Sequence, residues 1–311
     1  FGIFEIGMSG PGEIEKLSSI AKPDVAVITT IDNVHSEFFK SINEIADAKS
    51  EIASGIVEGG VLILNRDTPF FEQIKNTAKR KGVNNIKTFG SHDKSDYHLI
   101  DFNRIQHGSE VSANLGGALV SFELSVFGRH WAINSMAVLA AVDAVGGNVE
   151  KAANNLKFMR ELEGRGKWER ISVSGGSFIL IDESYNASPA SMNAALEVLG
   201  NVPLTKYGRR IAVLGEMLEL GDQSSQFHEE LIKPIQLYGI DIVFATGTKI
   251  ESLWNILPLK LRGKFSINRK LLSSIILESI RPGDVIMIKG SLASGAKKIV
   301  AEIRRLSKAI S

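Results

Sequence analysis

The stretch FILIDESYNASPASMNAALEVLG, Phe178 to Gly200, decides the fold class. It opens with a β-branched and aromatic run, Phe178 to Asp182, which predicts a buried strand. Two acids, Asp182 and Glu183, close that strand. A polar turn, Ser184 to Ser188, then leads into a helix over Ala190 to Leu199, with Pro189 near its first turn, where a missing N–H costs nothing. Working outward, the same alternation repeats. Strands are expected at Ile171 to Val173, Arg210 to Leu214, Ile242 to Ala245 and Val285 to Lys289. Helices are expected over Ser225 to Tyr238, Ile250 to Leu257, Lys270 to Ile280 and Ser294 to Leu306. That makes an α/β domain of about five strands. In such sheets ligands sit at the carboxyl ends of the strands. Those ends carry Asp182-Glu183, Gly215-Glu216, Thr246-Gly247 and Lys289-Gly290-Ser291.

Toward the amino terminus a second α/β pattern appears. Phe1 to Ile6 reads as a short buried strand, Glu13 to Ala21 as a helix and Val25 to Ile31 as a strand. A helix over Ile42 to Val57, a strand at Val61 to Leu64 and a helix over about Pro69 to Lys81 follow. Tyr97 to Ile105, Glu110 to Leu115 and Leu119 to Phe127 then read as an antiparallel meander. Trp131 to Val145 is a strong helix, stopped by Gly146-Gly147, and Val149 to Lys157 a shorter one. The charged, glycine-bearing Glu163 to Lys167 is the expected boundary. The expected domains are therefore residues 1–163 and 164–311.

Composition narrows the function. The chain has 311 residues, enough for about two domains. Thirty-six Lys and Arg against 35 Asp and Glu leave a net charge of +1, which supplies no strong field for nucleic acid or anionic lipid. With no cysteine, disulfides, thiolate metal centres and a cysteine nucleophile are excluded. No run approaches the ~18 apolar residues of a membrane span. The chain opens on Phe1, inside an apolar run, which suggests that the start of the protein lies upstream.

Several clusters could carry chemistry, each with a bland alternative. Glu5, at the end of the opening strand, can ligate Mg²⁺, a hard cation that takes oxygen ligands, or be an ordinary strand-end acid. His35 follows a strand and can meet a metal or a phosphate, or simply start a helix. Lys49, beside Glu51 in a helix, reads by itself as a solvated face. Asp182 to Pro189 places five consecutive polar side chains in one turn, which is unusual for a loop that only connects. No Gly-x-x-x-x-Gly-Lys-Ser/Thr phosphate loop is present. Gly164-Arg165-Gly166-Lys167-Trp168 and Gly263-Lys264-Phe265 both lack the Ser or Thr after the Lys.

Taken in order, these segments resemble the Mur ligases. The resemblance lies in FEIGMSGPGEIEKLSSIAKPDVAVIT (Phe4 to Thr29), VHSEFF (Val34 to Phe39), ADAKSEI (Ala46 to Ile52) and GRHWAINSMAVLAA (Gly128 to Ala141). It continues in DESYNASPASMNAA (Asp182 to Ala195), VLGEMLELG (Val213 to Gly221) and IKGS (Ile288 to Ser291). The pairing of the Tyr185-Asn186-Ala187 turn with Gly215 to Gly221 is similar to the members that join D-alanyl-D-alanine to UDP-N-acetylmuramoyl-tripeptide.

The resemblance implies a central ATPase domain, incomplete at its start, with a parallel sheet plus a small antiparallel sheet. A Rossmann-like carboxyl-terminal domain follows. It implies a cytoplasmic, monomeric, ATP- and Mg²⁺-dependent, ADP-forming amide ligase of peptidoglycan synthesis. The phosphate loop would lie just upstream of Phe1, so the chain alone is expected to be inactive. Glu5, His35 and Lys49 match the Mg²⁺ sites, Lys49 as a carbamate. Asn134 and His130 match the adenine-facing segment, and Arg165 an interdomain phosphate contact. Asp182, Glu183, Tyr185 and Asn186 match the motif that meets ATP and the incoming dipeptide; Lys289 and Ser291 match the acceptor loop. The catalytic set is thus Lys49, His35, Glu183 and Asn186. The sequence departs from the family pattern at Trp131, at Ser188 and over Leu292 to Ala296. The alternatives are another Mur-type amino acid ligase, or a non-catalytic nucleotide-binding fragment.

Overall fold

A computed structural model describes residues 1–32 and 37–307. The chain divides into two units, Phe1–Arg160 and Glu161–Ser311.

In the first unit the elements run α1 (Glu13–Ala21), β1 (Val25–Ile28), α2 (Ile42–Ser50), β2 (Val61–Asn65), α3 (Phe71–Arg80), β3 (Ile86–Gly90), β4 (Tyr97–Ile105), β5 (Gly108–Leu115), β6 (Ala118–Leu124), α4 (Arg129–Ala144) and α5 (Val149–Asn155). The strands lie in the order β1-β2-β3-β4-β5-β6. β1 to β4 pair in parallel and β4 to β6 form an antiparallel meander. The meander joins the parallel strands through Phe89↔Tyr97 and Gly90↔His98, so the unit has one continuous mixed sheet rather than two. β2 shows why a fully apolar strand belongs inside. Val61 and Ile63 pack to one face with Phe89 and α4, while Leu62 and Leu64 pack to the other with α2 and α3. α4 presents Ala132, Met136, Leu139 and Ala140 to the sheet at helical spacing, all fully buried.

The second unit continues with β7 (Lys167–Val173), β8 (Gly176–Glu183), α6 (Pro189–Gly200), β9 (Arg210–Gly215), α7 (Ser224–Glu230), α8 (Ile232–Leu237), β10 (Ile242–Thr246), α9 (Glu251–Ile256), β11 (Arg262–Phe265), α10 (Arg269–Ser279), β12 (Val285–Lys289) and α11 (Ala296–Ser307). Its sheet runs β11-β10-β9-β12-β8-β7, parallel except for the β7–β8 hairpin. β12, the last of the described strands in sequence, lies in the interior, paired to both β8 and β9. Its Val285 and Met287 join the layer of α6, α8 and α9, and its Ile286 and Ile288 that of α10 and α11. Each such buried aliphatic contributes roughly 1.5–3 kcal/mol. α6 starts where its sequence dictates. The Ser188 hydroxyl accepts from the Ser191 N–H at 3.3 Å, the Ser191 hydroxyl accepts from the Ser188 N–H at 2.8 Å, and Pro189 takes the first helical position.

Four expectations need correction. Phe1 to Ile6 is not a strand: Phe1, Ile3 and Phe4 are exposed and pair with no neighbour among the described residues, and an apolar run without a backbone partner does not make a ladder. The helix expected over Ile42 to Val57 ends at Ser50 and tightens into a 3₁₀ turn, Glu51–Gly55. The helix expected over Ser225 to Tyr238 is two, α7 and α8, which meet at Leu231 just before Pro234, whose ring cannot donate to the preceding turn. β3 and β11 were not anticipated, because IKTFG and RGKF mix charged and apolar residues. The second sheet therefore has six described strands.

Candidate active site at the strand ends

In the second unit the parallel register sets Lys289 beside Glu183 and Ile288 beside Asp182. Side chains level with each other on neighbouring strands share a face, so Lys289 and Glu183 meet. The Lys289 Nζ lies 3.6 Å from Glu183 Oε2 and donates to the Asn186 carbonyl at 2.9 Å. Only 3% of the Lys289 side chain and 15% of Glu183 remain exposed. Burial pushes the Lys289 ammonium down and the Glu183 carboxyl up, and each charge partly restores the other.

The preceding loop brings a second cation. The Arg165 guanidinium stacks 4.2 Å above the centre of the Tyr185 ring. Gly164 makes that stack feasible: at φ +76° its carbonyl accepts from the Tyr185 N–H at 3.0 Å, and a Cβ there would press on Tyr185 at 3.0 Å. The same Arg165 charge acts on both Glu183 and Lys289. Asp182 is buried and accepts from the Ser184 hydroxyl at 2.6 Å and from Arg304 Nη2 at 3.1 Å. Arg304 also pairs with Glu169.

A third strand end closes the group. The Ser291 N–H donates to the Glu216 carbonyl at 3.2 Å, and its hydroxyl accepts from the Leu218 N–H at 3.1 Å. The two turns touch because both carry glycine: a Cβ on Gly290 would lie 2.8 Å from Gly215 Cα and 2.5 Å from Ser294 Oγ. Asp182, Glu183, Asn186, Arg165, Tyr185, Lys289 and Ser291 thus gather at one end of one sheet. Cations and fixed N–H groups there suit an anionic ligand, and a buried carboxylate beside them suits proton transfer.

In the first unit Lys49 sits half-buried in the last turn of α2. Burial depresses its ammonium, and Asp32 is the carboxylate that opposes the shift. Glu5 lies on an exposed segment rather than at a strand's end, and is not among the charges acting on Lys49. His35 lies outside the described residues. Among the described residues no group of three or more His, Cys, Asp or Glu could hold a metal ion. Asn134 is exposed near the start of α4, and His130 one turn earlier is half-buried with its ring 5.6 Å from that of Trp131.

Sequence reasoning missed Asp32, Arg304 and His228. Asp32 is three residues before His35, shortly after β1, and reads there as an ordinary loop acid. Arg304 is one of several basic residues on an amphipathic helix, with nothing in the pattern to single it out. His228 falls in a short helix after Gly215 to Gly221; it is fully buried and holds that turn.

Residues 1–142 match the model of the Mur ligase middle domain, and residues 166–292 match that of the Mur ligase, glutamate ligase domain. The chain belongs to the Mur ligases. Among curated Mur ligases it is 34% identical over 300 residues to the UDP-N-acetylmuramoyl-tripeptide–D-alanyl-D-alanine ligase of Rickettsia prowazekii, covering 96% of this chain and 65% of that protein. It is 34% identical to the Bacillus subtilis ligase of the same name, over 97% of this chain and 64% of that protein. The chain thus spans just under two thirds of the length of these Mur ligases. The crystal structure of MurF from Thermotoga maritima in complex with ADP superposes with a TM-score of 0.85 at 25% identity, covering 99% of this chain and 67% of that one. A MurF structure from Acinetobacter baumannii gives 0.84 at 25% identity, covering 96% and 63%. No helix among the described residues is long and apolar enough to cross a membrane.

Proposed function

We propose that this chain is the ATP-binding and carboxyl-terminal part of a ligase that joins D-alanyl-D-alanine to UDP-N-acetylmuramoyl-tripeptide, forming ADP and phosphate. The observation that carries the reading is the Lys289–Glu183–Asn186 cluster with the stacked Arg165, in a chain 34% identical to ligases named for that reaction. ATP phosphorylates the tripeptide carboxylate. The amine of the dipeptide attacks the acyl phosphate, and the tetrahedral species expels phosphate.

Two anions must approach for the first step, and fixed cations lower that barrier. Arg165, oriented by Tyr185, and Lys289, oriented by the Asn186 carbonyl, supply positive charge at the strand ends. The attacking amine must shed a proton, and Glu183, held above the usual carboxylate range, is placed to accept it. Asn134 and His130 are assigned to adenine, and Ser291 to the acceptor turn. The boundary between nucleotide and ligase domains falls near residue 163.

The depressed ammonium of Lys49 suits carbamylation, because only the neutral amine adds CO₂. A carbamate beside Asp32 would offer the oxygen donors that Mg²⁺ prefers, with His35 and Glu5 assigned to the same ion pair. Bound there, Mg²⁺ would neutralise phosphate charge. The full-length protein is tested by phosphate release with UDP-N-acetylmuramoyl-tripeptide, ATP and either D-alanyl-D-alanine or single amino acids. Turnover is expected only with the dipeptide, and Lys49→Ala is expected to abolish it with the fold intact. A preference for a single amino acid, or a wild-type rate for Lys49→Ala, overturns the assignment.

A further inference from the structure

His228 sits on α7 with no exposed surface, and backbone groups occupy both of its ring nitrogens. Nδ1 lies 2.7 Å from the Ser224 carbonyl, an oxygen that can only accept, so Nδ1 carries the proton. Nε2 lies 2.9 Å from the Met217 N–H, a group that can only donate, so Nε2 must be bare. The backbone thereby fixes one tautomer of the neutral ring. Met217 is the second residue of the turn that leaves β9. Its neighbours on either side, Glu216 through its carbonyl and Leu218 through its N–H, clasp Ser291 after β12. Glu216 Oε2 in addition accepts from the Lys249 N–H at 2.9 Å, which ties the same turn to the loop after β10.

We propose that His228 is a positioning residue: its neutral imidazole holds the Glu216–Leu218 turn against Ser291, and a second proton on the ring releases that turn from the acceptor end of the site. A proton on Nε2 would point at the Met217 N–H, replacing an attraction with a repulsion between two donors. The ring cannot turn over to escape, because Nδ1 is committed to Ser224. The charged groups acting on the ring are Glu216, which favours its protonation, and Lys249, which opposes it. Burial outweighs both and keeps the ring neutral below the ordinary histidine range. The depressed value fixes the sign. Protons bind the unfolded chain more readily, so the stabilisation is complete above about pH 6.5 and is lost as the pH falls through the folded value.

The effect on ligation rests on the function proposed above; the effect on the turn does not, and two isosteres separate them. In His228→Gln the side-chain oxygen replaces Nε2 and still accepts from Met217, without a titrating ring. In His228→Asn the amide replaces Nδ1 and still donates to Ser224, but nothing reaches Met217. With ¹⁵N-labelled protein, the His228 ring is expected as the Nδ1–H tautomer at pH 7. Exchange protection of the Met217 and Leu218 amides is expected to fall about tenfold or more in His228→Asn and to persist in His228→Gln. In the full-length ligase, His228→Asn is expected to raise the KM for D-alanyl-D-alanine several-fold with a smaller change in kcat. His228→Gln is expected to keep that KM and flatten its rise at acid pH. An Nε2–H tautomer, or wild-type protection in His228→Asn, overturns the proposal. Wild-type KM in an active His228→Asn overturns its link to the acceptor. Absence of ligation in the wild-type protein overturns the proposed function, and the amide measurements still decide the turn.

Discussion

Removing one partner of the Lys289–Glu183 pair should cost more than removing both. The gross attraction across 3.6 Å is about 4–5 kcal/mol at an effective dielectric constant of about 20. Against it stands the loss of hydration of two nearly buried ions, which is of comparable size. Lys289→Met leaves Glu183 without its cation and the Asn186 carbonyl without its donor. A loss of about 2–4 kcal/mol in unfolding free energy is expected. Glu183→Gln strands a buried ammonium and should cost a similar amount. The double variant removes both charges at little change in volume and leaves only the Asn186 carbonyl without its donor, so it is expected about 1–2 kcal/mol below the wild type and above either single variant. Urea unfolding followed by circular dichroism and Trp fluorescence measures all four corners. The pH dependence has a definite sign. A raised Glu183 value means stability is full below its ordinary value near 4.5 and is lost as pH rises through the folded value. A lowered Lys289 value means stability is full above about 10.5 and is lost as pH falls. The double variant lacks both groups and should lose both dependences. Single losses that simply add in the double variant would refute this account of the pair.

Two further outcomes follow from local geometry. Ser188→Ala removes one half of the reciprocal cap on α6, the hydroxyl that accepts from the Ser191 N–H, and should lower stability by about 1 kcal/mol, read from the urea midpoint; an unchanged midpoint removes that bond from the account. Gly290→Ala forces a methyl group toward Gly215 Cα and Ser294 Oγ. It should cost about 1–3 kcal/mol and raise the KM for the acceptor dipeptide, which steady-state kinetics on the full-length protein measures.

Much of the fold was legible because its inner strands are unbroken apolar runs. VLIL at Val61 to Leu64 and VIMI at Val285 to Ile288 are too short for a helix between their turn residues and read as strands covered on both faces. β3 and β11 escaped because their residues are chosen by neighbours rather than by period. Conversely, Phe1 to Ile6 has the composition of a strand and no partner among the described residues. The strand-end acids and Lys289 were visible as punctuation after those runs. Their pairing was not, because it depends on the register between β8 and β12, about a hundred residues apart. Lys49 looked like a solvated lysine; only packing reveals that its ammonium is desolvated. His228 carried no local signal, since its partners are main-chain groups, which every sequence supplies equally.

β12 is inserted between β8 and β9 although it is made after every other described strand of its sheet. Until residues 285–289 leave the ribosome, β8 and β9 each present an apolar, hydrogen-bond-hungry edge to solvent, and Glu183 and Ser291 have no common scaffold. The unit cannot mature piecemeal from its amino end; it closes in one late event, and a nascent chain arrested shortly before Val285 is the form most exposed to aggregation and most in need of chaperone shelter.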